Sequence, residues 1–466
     1  MTSEEILKST IKSKYSSVRA FAKEWDIPYS TLTSILDRGI ATAGVGSIVK
    51  ICAALDISLE DLVMPKENQV LGVLKGKTVV VGVTGGIAVY KIPNLVSMLK
   101  KAGADVYVIM TKNSMEFITP LPFETLTGHN CIVDTFAHNF TMDVEHISIS
   151  KKADLVIIAP CTANVIGKIA NGIADDMLTT TIMACTCPVL ISPAMNTKMY
   201  ENKIVQKNIS ILKANGYKVI DSDSGFLACG ENGAGRMPEP QTLFDYVEKE
   251  IAFRKDLAGK KVVITAGPTQ EAIDPVRFIT NHSSGKMGYA LAKAAMLRGA
   301  DVTLISGPVS LEKPDFINTI YVKSAKEMAQ AVKDNENADI IIKAAAVADY
   351  TPATVANHKI KKSGNDMAIK LERTEDILQY LGSNKKSGQK IIGFSMETEN
   401  LVENSTAKLK KKNVDMIVAN SLTQSGAGFG VDTNVVTLIT KDSAHQLPQM
   451  TKAQVSHKIL DKILEL

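Results

Sequence analysis

The sequence predicts an α/β protein: two successive doubly wound domains on parallel sheets, preceded by a small all-α helix-turn-helix segment. Three observations carry that prediction. The run Thr78 to Val83 (TVVVGV) is continuously apolar, as a strand buried on both faces must be. It leads through Thr84-Gly85-Gly86 into a helix ending near Lys101 and then a second strand, GADVYVIMT. The same grammar returns as KVVITAGPT (Lys261 to Thr269), a helix from about Gly285 to Arg298, and GADVTLISG. Likewise KKADLVIIAP (Lys151 to Pro160) is echoed by NADIIIKAA (Asn337 to Ala345) and VDMIVAN (Val414 to Asn420). With right-handed crossovers, such alternation gives parallel sheets covered by helices. The expected domains are residues 1–70, 75–252 and 257–466, with the last join near the charged stretch Phe253 to Leu257.

At 466 residues the chain exceeds what one hydrophobic core serves, which agrees with several domains. Its 45% apolar and 22% charged residues are those of an ordinary soluble globular protein. A net charge of +4 is too small to draw the whole molecule to a polyanion or a membrane, so any phosphate must be met locally. Six cysteines without CxxC pairs or zinc-type histidine spacing argue against a disulfide framework and a structural zinc. The N-terminus, MTSEEILKST, is acidic and lacks an apolar core of the signal-peptide kind. The longest uncharged stretch, Met177 to Thr197, is broken by prolines and threonines, so no membrane span and a cytoplasmic location are expected.

In the first segment, SVRAFAKEW (Ser17 to Trp25) and the stretch from Ile27 to Leu36 predict a helix, a tight turn and a second helix capped by Ser30. A further helix is expected from Val45 to Leu55. The pattern resembles the phage-repressor type of helix-turn-helix, which would make residues 17–40 the DNA contact and set Tyr29 to Thr33 against base edges. Yet between Met1 and Val70 eight Lys/Arg face nine Asp/Glu, a net −1, whereas phosphate contact calls for a basic face. A protein-docking helical module is the competing reading.

In open α/β sheets, ligands gather outside the carboxyl ends of the strands. Gly85, Gly86 and Ile87 follow the first strand, Thr111 the second, and Pro160, Thr162, Ala163 and Asn164 a later one. Backbone amides that open helices there can hold a phosphate. Farther on, LACGENGAGRM (Leu227 to Met237) sets Cys229 in a glycine-rich strip that buries little and loses entropy on ordering, so chemistry explains it better than packing. His146 lies in VEHISIS and Asn196 in PAMNTKMY. An imidazole titrates near neutrality and can move a proton, an asparagine amide can fix a carboxylate, and a thiol of ordinary pKa, ~8.5, stays protonated as an acid.

GVTGGIAVYK, EHISISKKADLVIIAPCTAN, PAMNTKMY and ACGENGAGRM resemble the flavin-dependent cysteine decarboxylases, specifically the phosphopantothenoylcysteine decarboxylase half of the bifunctional coenzyme A biosynthesis enzymes. The resemblance runs from about Lys75 to Ile251. It implies a flavodoxin-like fold, FMN at the interface of a homotrimer, His146 and Cys229 as catalytic residues, and Asn196, Met195 and Arg236 against the substrate. The implied chemistry removes a hydride from the substrate's CH2–SH carbon, giving a thioaldehyde that accepts the electrons released with carbon dioxide. The enethiol is then reduced again, with Cys229 as proton donor. PCTAN departs from the family's usual PASAN, and Cys161, bulkier than alanine, puts the local packing beside the flavin in question.

In the last domain, Gly267-Pro268-Thr269 and NHSSGKMG (Asn281 to Gly288) form a loop before a helix, and the amides of Ser283 to Gly288 can cradle an anion. This is no P-loop, because Thr280 stands where a glycine belongs and Met287 where a magnesium-binding hydroxyl belongs. AAAVADY (Ala344 to Tyr350), HKIKK (His358 to Lys362), GFSMET (Gly393 to Thr398) and KLKKKNVDMIVAN (Lys408 to Asn420) follow. Two lysine runs near separate strand ends fit a triphosphate. NHSSGKMG, AAVADY and KIKK resemble the phosphopantothenate–cysteine ligase half of the same enzymes, over Leu257 to Leu466, with a Rossmann-like fold. The resemblance implies CTP and Mg2+. The carboxylate of 4'-phosphopantothenate attacks the α-phosphate, and cysteine displaces CMP from the acyl-cytidylate. By the same resemblance Asn281 holds the acyl intermediate and Lys359 neutralises phosphate charge. Ser283, Ser284, Gly285, Phe394, Lys408 and Lys412 line the nucleotide, and Asp349 contacts metal or nucleotide. Ligase dimers combined with decarboxylase trimers would give an assembly as large as a dodecamer. Two rival readings are a DNA-binding flavoprotein regulator and a flavoprotein that inhibits a partner protein without turnover.

Overall fold

The computed structural model describes residues 72–134, 145–226, 232–361, 368–397, 399–421 and 431–466, with 7, 11, 15, 17–25, 27–38, 51, 54 and 55 from the first segment. The chain forms two compact units, Met1–Phe244 and Asp245–Leu466.

The first segment contains α1 (Val18–Glu24) and α2 (Tyr29–Arg38). Ser17 caps α1 by accepting from Ala20 N. Ser30 does not cap α2. The carbonyl of Pro28 accepts from Thr31 N and Leu32 N, so the helix starts at Tyr29 and Ser30 falls within its first turn. A proline suits that entry because its φ is preset and it has no N–H to satisfy. Phe21, Leu32 and Ile35 bury against Leu7, Ile11, Ile51 and Leu55 in one apolar cluster. Most of the expected helix from Val45 to Leu55 lies outside the described residues.

The first sheet is wholly parallel, in the order β2-β1-β3-β4-β5. Its strands are β1 (Thr78–Val83), β2 (Asp105–Met110), β3 (Leu155–Cys161), β4 (Val189–Pro193) and β5 (Lys218–Val219). Every residue of β3 is buried, as the central place of an uninterrupted apolar run requires. The connecting helices include α3 (Ile92–Lys101), α4 (Glu145–Lys152), α5 (Ala163–Ala170), α6 (Met177–Ala184) and the short α7 (Thr197–Tyr200). α3 turns Ile92, Leu95, Val96 and Leu99 inward at helical spacing. Each such fully buried side chain contributes about 1.5–3 kcal/mol. Strand order reverses between β1 and β3, which is the switch point of a flavodoxin-like sheet. An antiparallel ribbon, β6 (Asp223–Phe226) with β7 (Asn232–Arg236), follows.

In the second unit the strands are β8 (Lys261–Ala266), β9 (Asp301–Ser306), β10 (Asn318–Tyr321), β11 (Ile340–Lys343), β12 (Lys390–Glu397), β13 (Met416–Ser421), β14 (Val436–Thr440) and β15 (Ala444–Gln446). They run β10-β9-β8-β11-β12-β13-β14-β15. The first six are parallel in the Rossmann order, with the reversal between β8 and β11. The expectation of a purely parallel sheet is corrected at one edge, where β14 and β15 are antiparallel. A strand pairing antiparallel needs no helical crossover, so the edge grows by hairpin-like returns. Helices here include α8 (Lys286–Leu297), α9 (Ile377–Ser383), α10 (Leu401–Lys412) and α11 (Lys452–Glu465). Two apolar cores lie on the two faces of the sheet. Between β8 and α8 the chain inserts a small hairpin, Gln270–Ala272 paired with Phe278–Thr280. Among the described residues, no helix is long and apolar enough to cross a membrane.

Two candidate active-site clefts

In the first unit the switch point is fastened by one side chain. The buried Thr84 hydroxyl, just past β1, donates to Pro160 O at 2.7 Å and accepts from Thr162 N at 3.1 Å, both at the end of β3. Pro160 therefore contributes its carbonyl to the frame. Thr162 then caps α5. A Cβ at Gly85 would lie 2.7 Å from Asn113 Cβ and 2.8 Å from Asn113 O, so only glycine lets the two loops approach.

Two adjoining hollows open there, sharing Gly85, Thr162, Ala163 and Met199. One of about 480 Å3 is lined by Gly86, Ile87, Met195, Asn196 and Arg236 among others. The other, of about 560 Å3, takes in Thr111 and Asn164. Asn196 accepts from Lys198 N at 2.9 Å and so caps α7, which fixes its amide at the rim. Met195 N donates to Gly235 O at 3.0 Å, and the Thr197 hydroxyl donates to Ala234 O at 2.9 Å.

Those contacts correct one expectation. The glycines after Cys229 have a packing reason: a Cβ at Gly233 would sit 2.5 Å from Thr197 Oγ1, and at Gly235, where φ is +108°, 2.5 Å from Met195 O. Cys229 itself lies outside the described residues, between the paired strands β6 and β7. His146 stands half-buried in the first turn of α4 and lines neither hollow. Cys161 is fully buried in the core, where burial pushes its thiol pKa up, so its extra bulk faces away from the cleft. Sequence reasoning passed over Lys91 and Glu239. The Glu239 carboxylate accepts from Lys91 Nζ at 2.7 Å and from Arg236 Nη2 at 2.8 Å, and Lys91 above all holds it below the usual carboxylate range. Lys91 was visible as the end of GVTGGIAVYK; Glu239 had no local signal.

In the second unit three glycines make the cleft. Gly267 and Gly285 adopt φ +76° and +78°, each with Val309 Cγ1 only 2.8 Å from where a Cβ would be. Gly288, in the first turn of α8, lies so close to β8 that a Cβ would be 2.5 Å from Ala266 Cβ. These are the tasks a dinucleotide-fold glycine set performs, a tight turn and close helix–strand packing. The hollow of about 170 Å3 over the N-terminus of α8 is lined by Ser283, Ser284, Gly285 and Phe394, together with Ala346 and Lys452. Asn281 reaches its wall by donating to Ala346 O at 3.2 Å. Asp349 and Lys359 are exposed, and neither they nor Lys408 and Lys412 line this hollow. Lys412 pairs with Asp376 at 2.5 Å, and the last turn of α10 favours its lysines because the helix end is partly negative. Lys343 closes β11 half-buried, and its ammonium pKa is pushed down by burial; Asp376 opposes that and Lys408 adds to it. A lysine ending an apolar strand was the signal for it.

Asp274, in the inserted hairpin, has a fully buried side chain. Burial alone would raise its carboxyl, but the amide of Val276, the Arg277 guanidinium and the amide of Ile360 outweigh it and hold the group well below the usual range. Among the described residues, no cluster of three or more His, Cys, Asp or Glu could hold a metal ion.

Comparison with known proteins gives these clefts their context. A family model described as "Flavoprotein" matches residues 67–252, and one described as "DNA/pantothenate metabolism flavoprotein C-terminal domain" matches residues 257–466. The Coenzyme A biosynthesis bifunctional protein CoaBC of Bacillus subtilis (strain 168) is 52% identical over 398 residues, covering 84% of this chain and 98% of that protein. Its counterpart of the same name in Haemophilus influenzae is 42% identical over 393 residues, again covering 84% and 98%. A crystal structure of the C-terminal domain of a Coenzyme A biosynthesis bifunctional protein CoaBC is 47% identical, with TM-score 0.39, over 44% of this chain and 95% of that one. By this identity over nearly the full length of its relatives, the chain belongs to the family of bifunctional coenzyme A biosynthesis enzymes.

Proposed function

We propose that the second unit joins cysteine to 4'-phosphopantothenate with CTP and Mg2+, and that the first unit decarboxylates the product with FMN to give 4'-phosphopantetheine. The observation that supports this reading best is that each unit opens a cleft at its own strand-order reversal, lined by residues singled out from the sequence.

In the ligase cleft, the substrate carboxylate attacks the α-phosphate of CTP and pyrophosphate leaves. Cysteine's amine then attacks the acyl carbon and CMP leaves. Amides of Ser283 to Gly285 at the positive end of α8 meet phosphate charge, and Lys359 neutralises more of it as it develops. Asn281 holds the acyl group, and Lys408 and Lys412 add further positive charge for the triphosphate. Phe394 borders the base. Asp349 would hold the magnesium ion, which would supply charge screening for the triphosphate.

For the flavin, the residues present suit a flat ligand carrying a phosphate: Gly85 and Gly86 leave a bare wall, and Thr162 to Asn164 open a helix beside it. A bound flavin supplies a reversible hydride acceptor. Asn196 and Arg236 orient the substrate carboxylate, and Met195 packs against it. His146 takes the thiol proton and Cys229 later returns one to carbon. The reading includes trimers through the flavin domain and dimers through the ligase domain.

A coupled assay tests the reading. Pyrophosphate should appear only with 4'-phosphopantothenate, CTP and Mg2+, and carbon dioxide only when cysteine is also present. Pyrophosphate formation without any cysteine-dependent carbon dioxide contradicts it.

A further inference from the structure

The hairpin Gln270–Ala272/Phe278–Thr280 carries a buried carboxylate to which the chemistry above gives no task. Asp274 Oδ1 accepts from Val276 N and Arg277 N, both at 2.8 Å. Its Oδ2 accepts from Arg277 Nε at 3.0 Å, Arg277 Nη2 at 2.6 Å and Ile360 N at 3.1 Å. Arg277 Nη2 also donates to Ile360 O at 2.6 Å. A third stitch, Ala356 N to Ile273 O at 3.0 Å, runs alongside. The bonds to Val276 and Arg277 amides are what any Asp-stabilised turn makes. The bonds to Ile360 are surplus to the turn. They hold one residue far along the chain by both its N–H and its C=O, and that residue directly follows Lys359.

We infer that Asp274 and Arg277 are positioning residues for ligation: they clamp the backbone at Ile360 and so aim Lys359 at the reacting phosphate. This rests on the reading of Lys359 as the phosphate-neutralising lysine. Lys359 is exposed and long, and an ammonium on a four-carbon stem loses much rotamer freedom when it engages a ligand. A fixed peptide at its base narrows the directions the stem can take before the nucleotide arrives. The same hairpin also delivers Asn281, since its second arm is tied by the Thr280 hydroxyl to Thr269 O at 2.7 Å. One small insertion therefore sets both ligase residues in a common frame, with Asn281 donating to Ala346 O.

The test measures steady-state pyrophosphate release and melting temperature in the full-length protein for Asp274→Asn, Arg277→Gln, Lys359→Gln and the two double variants containing Lys359→Gln. Asp274→Asn should lower kcat by roughly tenfold to a hundredfold with little change in KM for cysteine. On the residual rate of Lys359→Gln it should cost less than about threefold, because the residue it positions is already gone. Arg277→Gln, at a side chain 41% exposed, should give a smaller loss of the same kind and decides the matter if Asp274→Asn fails to fold. Full kcat in the folded single variants, or losses that multiply independently with Lys359→Gln, would overturn the inference. Full ligation by Lys359→Gln would instead remove the lysine reading, and the clamp's purpose with it.

Discussion

The two sheets open their clefts by the same topological device and fasten them differently. In the first unit one buried hydroxyl, Thr84, spans the reversal between β1 and β3. In the second, the reversal between β8 and β11 is sewn by two hydroxyls, with Ala345 N donating to Thr265 Oγ1 at 3.1 Å and Ala348 N to Thr269 Oγ1 at 3.0 Å. Backbone bonds from Ala346 N to Gly267 O at 2.9 Å and from Thr269 N to Ala346 O at 3.2 Å reinforce them. The lightly pinned cleft is roomy, at about 480 and 560 Å3 for its two hollows, and the heavily sewn one is about 170 Å3. Diverging strand ends leave a crevice in either case.

The sharpest way to break this comparison is to silence one cleft and read the other. His146→Asn should cut carbon dioxide release from synthetic phosphopantothenoylcysteine by at least about a hundredfold while pyrophosphate release is unchanged. Loss of both activities would show that the units are not independent. Next in size, Gly288→Val should push α8 off β8, because its Cβ would lie 2.5 Å from Ala266 Cβ, at about 1–3 kcal/mol of stability in the second unit. Ligation should fall and flavin absorption persist, as read by melting curves and spectra of one sample. Thr84→Val leaves a buried carbonyl and a partly buried amide without their shared partner, which costs about 1–3 kcal/mol. It should weaken flavin retention during dialysis, and Thr84→Ser should restore it.

The smallest effect is a pH dependence. Glu239 is held below the usual carboxylate range by Lys91 and Arg236, so its folded pKa is lower than its unfolded one. Its contribution is therefore present above the ordinary carboxylate pKa, ~4.3, and is lost as pH falls from there through the folded value. The carboxylate is half-exposed, so Glu239→Gln should cost at most about 1 kcal/mol at neutral pH and flatten the acid limb of the melting profile. A loss of more than about 1 kcal/mol at neutral pH that persists at high salt would mean a packing role.

What the sequence disclosed was what repeats locally. Uninterrupted apolar runs announced β1, β3, β8 and β11, and the glycine before Lys286 announced α8, because periodicity and caps act within a few residues. What it concealed depends on distant partners. Gly233 and Gly235 looked idle until Thr197 and Met195 were seen against them. Asp274 reads as an ordinary turn residue until Ile360, 86 residues later, arrives on its Oδ2. The antiparallel strand β14, next to the edge, is another buried run of five residues, VTLIT, and nothing in its own pattern states its direction. Ser30 has the right chemistry for a cap two residues too late, because Pro28 had already supplied the carbonyl that starts α2.

The central claim is that the flavin belongs to the first cleft and the nucleotide reaction to the second. The most direct measurement compares flavin content and pyrophosphate release in the full-length protein with and without Gly85→Val, whose side chain would collide with Asn113. The wild type should be yellow and release FMN on denaturation, and the variant should be colourless with ligation intact. A folded wild type that never takes up FMN, or a variant that keeps it, would contradict the account.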